Sequence, residues 1–205
     1  MCRLFGFRSV IPSQVHRSLL AAENALGIQS NQHPDGWGVA FYVDGAPHVT
    51  RSPTTALGDA LFHRLSGVVS SETVLAHVRK ATQGNLSVLN CHPFQHGRWV
   101  FAHNGDVPTF AQHRETLINE VSPRLRRYIL GETDSEVVFF MILTQLLRYG
   151  ALGDGAIGFD VAARAGLSVE VGNLELAVDS SPFSYLSRDR WHSVPITVRL
   201  AALLD

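Results

Sequence analysis

The segment "GETDSEVVFFMILTQLLRYG" restricts the fold more than any other part of the chain. Thr133 followed three residues later by Glu136 has the form of a capping box, and Arg148 then Gly150 supply a basic last turn and a stop. Between these ends Val137, Val138, Phe140, Met141, Leu143, Leu146 and Leu147 surround most of a helix's circumference. An amphipathic surface helix would leave one side polar. This one must lie between layers of other structure, and the chain has to provide those layers.

Strands and helices to do so are legible elsewhere. "CRLFGFRS" is short, aromatic-rich and bounded by Pro12, as expected of a buried strand at the start of the chain. From Ser13 to Leu26, Val15, Leu19, Leu20 and Ala22 fall at helical spacing, with Gly27 as a stop. "GWGVAFYVDGAPHVTR" reads as two strands around Asp44-Gly45, because Asp-Gly readily supplies the positive φ values of a tight hairpin turn. Ala56 to Leu65 is expected to be a short helix, and "TVLAHVRKA" and "RWVFAHNG" to be strands that end in polar, chemically useful residues. After Gly150 the chain becomes rich in glycine and alanine, with only a weak alternation in "LSVEVGNLELAV".

Composition narrows the classes of partner. At 205 residues, 45% hydrophobic and 17% charged, the chain is read as one globular domain with or without an appendage. Seventeen basic and eighteen acidic residues nearly cancel, and there is no run of like charge. Nothing therefore points to a nucleic acid or a membrane surface, and the expected partner is a small molecule. Arg8 and Pro12 interrupt what would be the apolar core of a secretory signal, and no run approaches the roughly 18 apolar residues of a spanning helix. The expected location is cytoplasmic, with Cys2 and Cys91 reduced.

Cys2 is the candidate for chemistry. A lone cysteine in an apolar strand is usually a small buried hydrophobe. If Met1 is removed, however, Cys2 carries thiol and α-amine on one Cα, so nucleophile and base are joined. A thiol pKa of about 8.5 beside an amine of roughly 7.7 to 8.0 lets the amine take the proton near neutrality, directly or through one water.

Behind Cys2 follow "PDGWGVAF" at Pro34 to Phe41, "HVRKAT" around Arg79, "HPF" at His92 to Phe94, "HNGD" from His103 to Asp106, and "GETDSE" around Asp134. Each has a bland explanation in a salt bridge, a turn or a helix cap. In this order behind an N-terminal cysteine they resemble the class II glutamine amidotransferases, most closely their small stand-alone branch, which includes γ-glutamyl hydrolases. The resemblance runs from Cys2 to about Leu147. It implies an α+β fold, a four-layer αββα sandwich of the N-terminal nucleophile hydrolase type. It makes residues 1–150 the amidotransferase type 2 domain and leaves 151–205 as a continuation that cannot be matched to the family's closing strands, and so is divergent or incomplete.

The implied reaction is release of ammonia or an amine from glutamine or a γ-glutamyl compound through a Cys2 thioester. The Asn104 side-chain NH2 and the Gly105 backbone N–H suit the oxyanion that forms on the way. Arg79 offers a planar fork for a substrate α-carboxylate and Asp134 an anion for an α-ammonium, which are the roles of the matching family positions. His103 and Asp106, in the same motif as the oxyanion pair, are read as substrate-binding. His92 and His96 have a spacing seen in zinc sites but no matching cysteines or carboxylates, so no metal is expected, and no glycine-rich phosphate loop or other cofactor signature is present. Two other readings stand beside the hydrolase: a glutamyl-binding module with impaired turnover, and a glutaminase subunit feeding a separate synthase.

Overall fold

The computed structural model describes residues 2–148 and the backbone of short strands at Glu175–Leu176, Phe183–Ser187, Arg190–Val194 and Val198–Arg199. The remainder of the 151–205 continuation lies outside the described residues. The chain divides into two units, Met1–Asn104 with Gly131–Thr133, and Gly105–Leu130 with Asp134–Asp205.

The first unit is built on a four-stranded antiparallel sheet of β1 (Arg3–Gln14), β2 (Trp37–Val43), β3 (Ala46–Ser52) and β4 (Ser70–Val78), in the order β1-β4-β2-β3. β2 and β3 form the expected hairpin, with Asp44 at φ 51° and Gly45 at φ 76°. β1 outruns its expected end at Pro12. Pairing with β4 is interrupted between Arg8 and Ser13 and resumes as Ser13↔Ser71, so proline sits on an edge strand where no ladder N–H is required.

That extension removes the start of the helix expected over Ser13–Leu26. In its place are one wide helical turn at Arg17–Ala21 and a separate short helix, α1 (Leu26–Gln29). Gly27 is inside α1 rather than beyond a helix end. A Cβ there would lie 2.8 Å from the Leu19 carbonyl, so the glycine serves close packing. The helix expected over Ala56–Leu65 is likewise divided, into a tight turn at Ala56–Gly58 and α2 (Ala60–Val68). Asp59 separates them as an extended N-cap whose carboxylate accepts from the Leu61 N–H at 2.9 Å. It also accepts from the Trp37 indole at 3.0 Å, which fixes α2 to β2.

The period-two alternation of the strands decides what each sheet face does. Trp37, Val39, Val74, Ala76 and Val78 project to one side and are buried with Phe62 of α2, whose ring meets Trp37 edge-on at 5.0 Å. The other side carries Gly38 opposite His77 and Leu4 opposite His77, and the same register puts Cys2 opposite Arg79. A segment holding Cys91 and His92 lies directly on this face. A Cβ on Gly38 would collide with the His92 carbonyl oxygen, and one on Gly36 would fall 2.5 Å from the Cys91 sulfur. The segment leads into a small hairpin of β5 (Phe94–His96) and β6 (Trp99–Phe101), turned at Gly97 with φ 56°. The strand expected through "RWVFAHNG" therefore stops at Phe101, and His103 and Asn104 continue as irregular chain.

The second unit contains α3 (Phe110–Glu120), α4 (Pro123–Arg126) and α5 (Asp134–Arg148). α5 is buried on most of its circumference, as its composition requires. Its side chain Glu136 accepts from the Leu130 N–H at 3.1 Å, tying down the approach to the helix. α4 is joined to it by the Ser122 N–H, which donates to the Thr144 hydroxyl at 3.0 Å. α3 was not legible in sequence, because only Phe110 and Leu117 of its eleven residues are buried and two such positions make no recognisable stripe. Antiparallel sheets combined with helices give the α+β class that was expected.

Candidate active site

Cys2 stands at the mouth of β1, half-buried, with its thiol against the end of β4. The Lys80 backbone N–H points at the sulfur at 3.3 Å, and the sulfur lies 3.5 Å from the Lys80 carbonyl. An N–H donor directed at sulfur favours thiolate, and the carbonyl accepts the proton of the neutral thiol. The end of β4 is itself held. Asp35 donates its N–H to the Arg79 carbonyl at 3.0 Å, Arg79 donates its N–H to the Gly36 carbonyl at 2.8 Å, and the Asp35 carboxylate accepts from the Ala81 N–H at 2.8 Å. Asp35 lies in the "PDGWGVAF" motif, whose residue types carry no hint of this use.

Arg79 is buried, 2% exposed, and its guanidinium faces the turn that follows it. Nη1 donates to the Asn85 carbonyl at 3.0 Å, and Nη2 to Gln83 at 2.6 Å and Gly84 at 3.3 Å. The Nε–H and one Nη1–H remain without a partner among the described residues, so capacity for an anion is retained.

Around these groups is a cluster of imidazoles. His77 and His92 stack with ring centres 4.3 Å apart, and His92 meets Phe94 at 4.7 Å. Burial pushes the His77 pKa down to about 3, with Arg79, His103 and His33 adding repulsion while the His103 backbone acts the other way. Burial also holds His92 well below the usual histidine value, reinforced by His77, His103, Arg79 and Arg51. His33 is lowered by burial and then by Arg3 and Lys80. These rings are neutral at neutral pH. Despite their number, no group of three or more His, Cys, Asp or Glu among the described residues is placed to hold a metal ion.

Asn104 belongs to the same unit as Cys2, Arg79 and His103, and its side-chain oxygen is buried without a hydrogen-bond partner among the described residues. Gly105, Asp106 and Asp134 belong to the second unit. There Gly105 and Asp106 are exposed. The Asp134 carboxylate is buried at the start of α5 and accepts from the Val107 N–H at 2.7 Å and the Ser135 N–H at 2.7 Å. Asp134 thus holds the chain just after the "HNGD" motif, a use that the sequence did not suggest.

The other thiol has a different setting. Cys91 is fully buried between the Ser52 and Ser87 carbonyls, each 3.4 Å from its sulfur, and burial raises its pKa. Among the described residues neither cysteine is in a disulfide. A Cys91→Ser protein is expected to keep most wild-type activity, because a hydroxyl can donate to either carbonyl; steady-state rates that fell severely in a normally folded variant would contradict this.

The family model described as Glutamine amidotransferases class-II matches residues 1–173. The chain belongs to the class-II glutamine amidotransferases. The match extends into the 151–205 continuation, as far as residue 173. Among curated members of the family, "Probable glutamine amidotransferase DUG3" of Saccharomyces cerevisiae is 30% identical over 73% of this chain and 47% of its own. The gamma-glutamyl-hercynylcysteine sulfoxide hydrolase of Mycobacterium tuberculosis is 34% identical over 52% of this chain and 50% of its own. This amidotransferase chain therefore spans about half the length of such relatives. A glutamine aminotransferase class-II domain protein from Silicibacter pomeroyi has the same fold, with TM-score 0.53 and 26% identity over 76% of this chain and 61% of that one. Among the described residues no helix is long and apolar enough to cross a membrane.

Proposed function

We propose that this class-II amidotransferase chain is a cysteine-dependent amide hydrolase that cleaves glutamine or a γ-glutamyl amide through a Cys2 thioester. The observation that carries this reading is the Cys2 sulfur beside the Lys80 N–H at 3.3 Å, at the end of the strand that presents Arg79. With Met1 removed, the Cys2 amine takes the thiol proton and sulfur attacks the side-chain carbonyl carbon. The tetrahedral oxyanion is met by the Asn104 NH2 and the Gly105 N–H, donors of a kind worth about 2.7 to 4 kcal/mol of barrier each. Collapse breaks the C–N bond as the ammonium returns its proton to the leaving nitrogen. Water, deprotonated by the same amine, then opens the thioester to give glutamate.

Intact mass measured with and without a glutamine-analogue electrophile tests this directly. Mature protein should lack Met1 and take up one adduct, which Cys2→Ala protein should not. Labelling confined to Cys91, or none in a folded wild-type protein, would refute the assignment.

On this reading Asp134 receives the substrate's α-ammonium with the lone pairs that Val107 and Ser135 leave unused. Asp134→Asn should weaken binding by about 1.5 to 3 kcal/mol for glutamine and γ-glutamyl peptides alike, since the glutamyl half is common to both. Acetylating the substrate's α-amine should cost the wild-type protein most of its activity and the Asp134→Asn variant far less. Equal penalties in kcat/KM would leave Asp134 with only its hold on the Val107 N–H.

A further inference from the structure

The main chain of Arg79 is fixed by Asp35 and Gly36, but the direction of its guanidinium depends on the carbonyls of Gln83, Gly84 and Asn85. Those carbonyls lie in a turn with little apolar anchoring, for Leu86 is 62% exposed, Val88 41% and Leu89 40%. What holds the turn is polar. Asn90, buried beneath it, donates from its amide to the Asn85 carbonyl at 3.1 Å and to the Asn85 side-chain oxygen at 3.0 Å. The Asn90 side-chain oxygen accepts from the Glu132 N–H at 2.7 Å. The Glu132 carboxylate completes the ring by accepting from the Asn85 N–H at 3.0 Å, with the Asn90 amide at 3.5 Å. Gly84, at φ 72°, lets the turn pass so close to Asn90 that a Cβ would lie 2.8 Å from its nitrogen. The Asn85 carbonyl is shared: it accepts from Asn90 on one side and from Arg79 on the other.

We propose that Glu132 is a positioning residue for the substrate's α-carboxylate, acting through Asn85 and Asn90 on the carbonyls that aim Arg79. The inference rests on Arg79 being the fork for that carboxylate. An α-carboxylate is bound alike in the ground state and the transition state, so loosening its fork should raise KM and leave kcat nearly unchanged. A role confined to folding would not select one end of the substrate.

The test compares glutamine with 4-aminobutanamide, which is glutamine without its α-carboxylate. Glu132→Ala should raise KM for glutamine by about tenfold with kcat within about twofold, and Glu132→Gln, which keeps an acceptor for the Asn85 N–H, should restore most of the loss. For 4-aminobutanamide the kcat/KM of Glu132→Ala should match wild type. The ratio of the two substrates does not depend on the folded fraction, so partial unfolding cannot imitate the result. Adding Glu132→Ala to Arg79→Lys should cost nothing more for glutamine. Equal losses on both substrates, or losses that add in the double variant, would overturn the role of Glu132 and leave that of Arg79 standing. If Arg79→Lys itself left the glutamine KM unchanged, the fork assignment would fall, and the role of Glu132 with it.

Discussion

Cys2→Ala protein is expected to lose turnover by roughly 10⁴-fold or more, while still binding the glutamyl group. The sulfur is the one protein group in this reading that bonds to substrate carbon. The Lys80 N–H that faces it can stabilise its charge but cannot replace it. Cys2→Ser should fall in between, since the amine remains but a hydroxyl gives up its proton far less readily. A chain in which Met1 is retained should be as inactive as Cys2→Ala, because the Cys2 nitrogen is then an amide and has no basicity. Glutamate release at wild-type rates from either would mean that the nucleophile lies elsewhere.

A loss of stability in mild acid is the second large effect expected. His77 and His92 are buried as neutral rings, with folded pKa values below the 6.5 expected of the unfolded chain. Above pH 6.5 neither state binds a proton there and stability is flat with respect to these groups. Below it the unfolded chain takes up protons that the folded protein refuses. Each ring then costs about 1.4 kcal/mol per pH unit, continuing for His77 until the folded pKa near 3 is approached. By pH 5 His77 alone should have removed about 2 kcal/mol, with His92 adding in the same direction, a substantial share of a typical domain's stability. Denaturant unfolding at pH 7.5 and pH 5.0 would measure it, and His77→Gln should reduce the slope by about one proton. Equal stability at the two pH values would show that the rings are protonated in place.

Local chemistry made some of the fold readable in advance. Asp44-Gly45 forces a hairpin by its own backbone preferences, and the apolar circumference of α5 can be satisfied only by burial. The helix expected after Ser13 failed because its first residues found better partners in a strand, as Ser13 and Gln14 pair with Ser71 and Ser70. Propensity read along the chain cannot weigh an offer made from about sixty residues away. The candidate site divides along the same line. Cys2, Arg79 and Asp134 could be named from their motifs, but not the Lys80 N–H, the Asp35 clasp on β4 or the Asn85–Asn90–Glu132 ring. Each of these relies on a main-chain atom as one of its partners, and main-chain atoms are carried by every residue and distinguished by no sequence. Glu132 and His77 stood inside quoted motifs, yet nothing separated them from neighbours that hydrogen bonding later left aside.

The bare contact of Gly38 with the His92 carbonyl bears on how such a protein can change over generations. Because backbone rests on backbone there, the height of the Cys91–Pro93 segment above the sheet is set by strand geometry, not by the side chains that the segment carries. Side chains along that segment can be exchanged to reshape this face of the sheet without lifting the segment from its seat. The freedom to vary is thus concentrated above the sheet, at the expense of one position beneath it that admits no side chain.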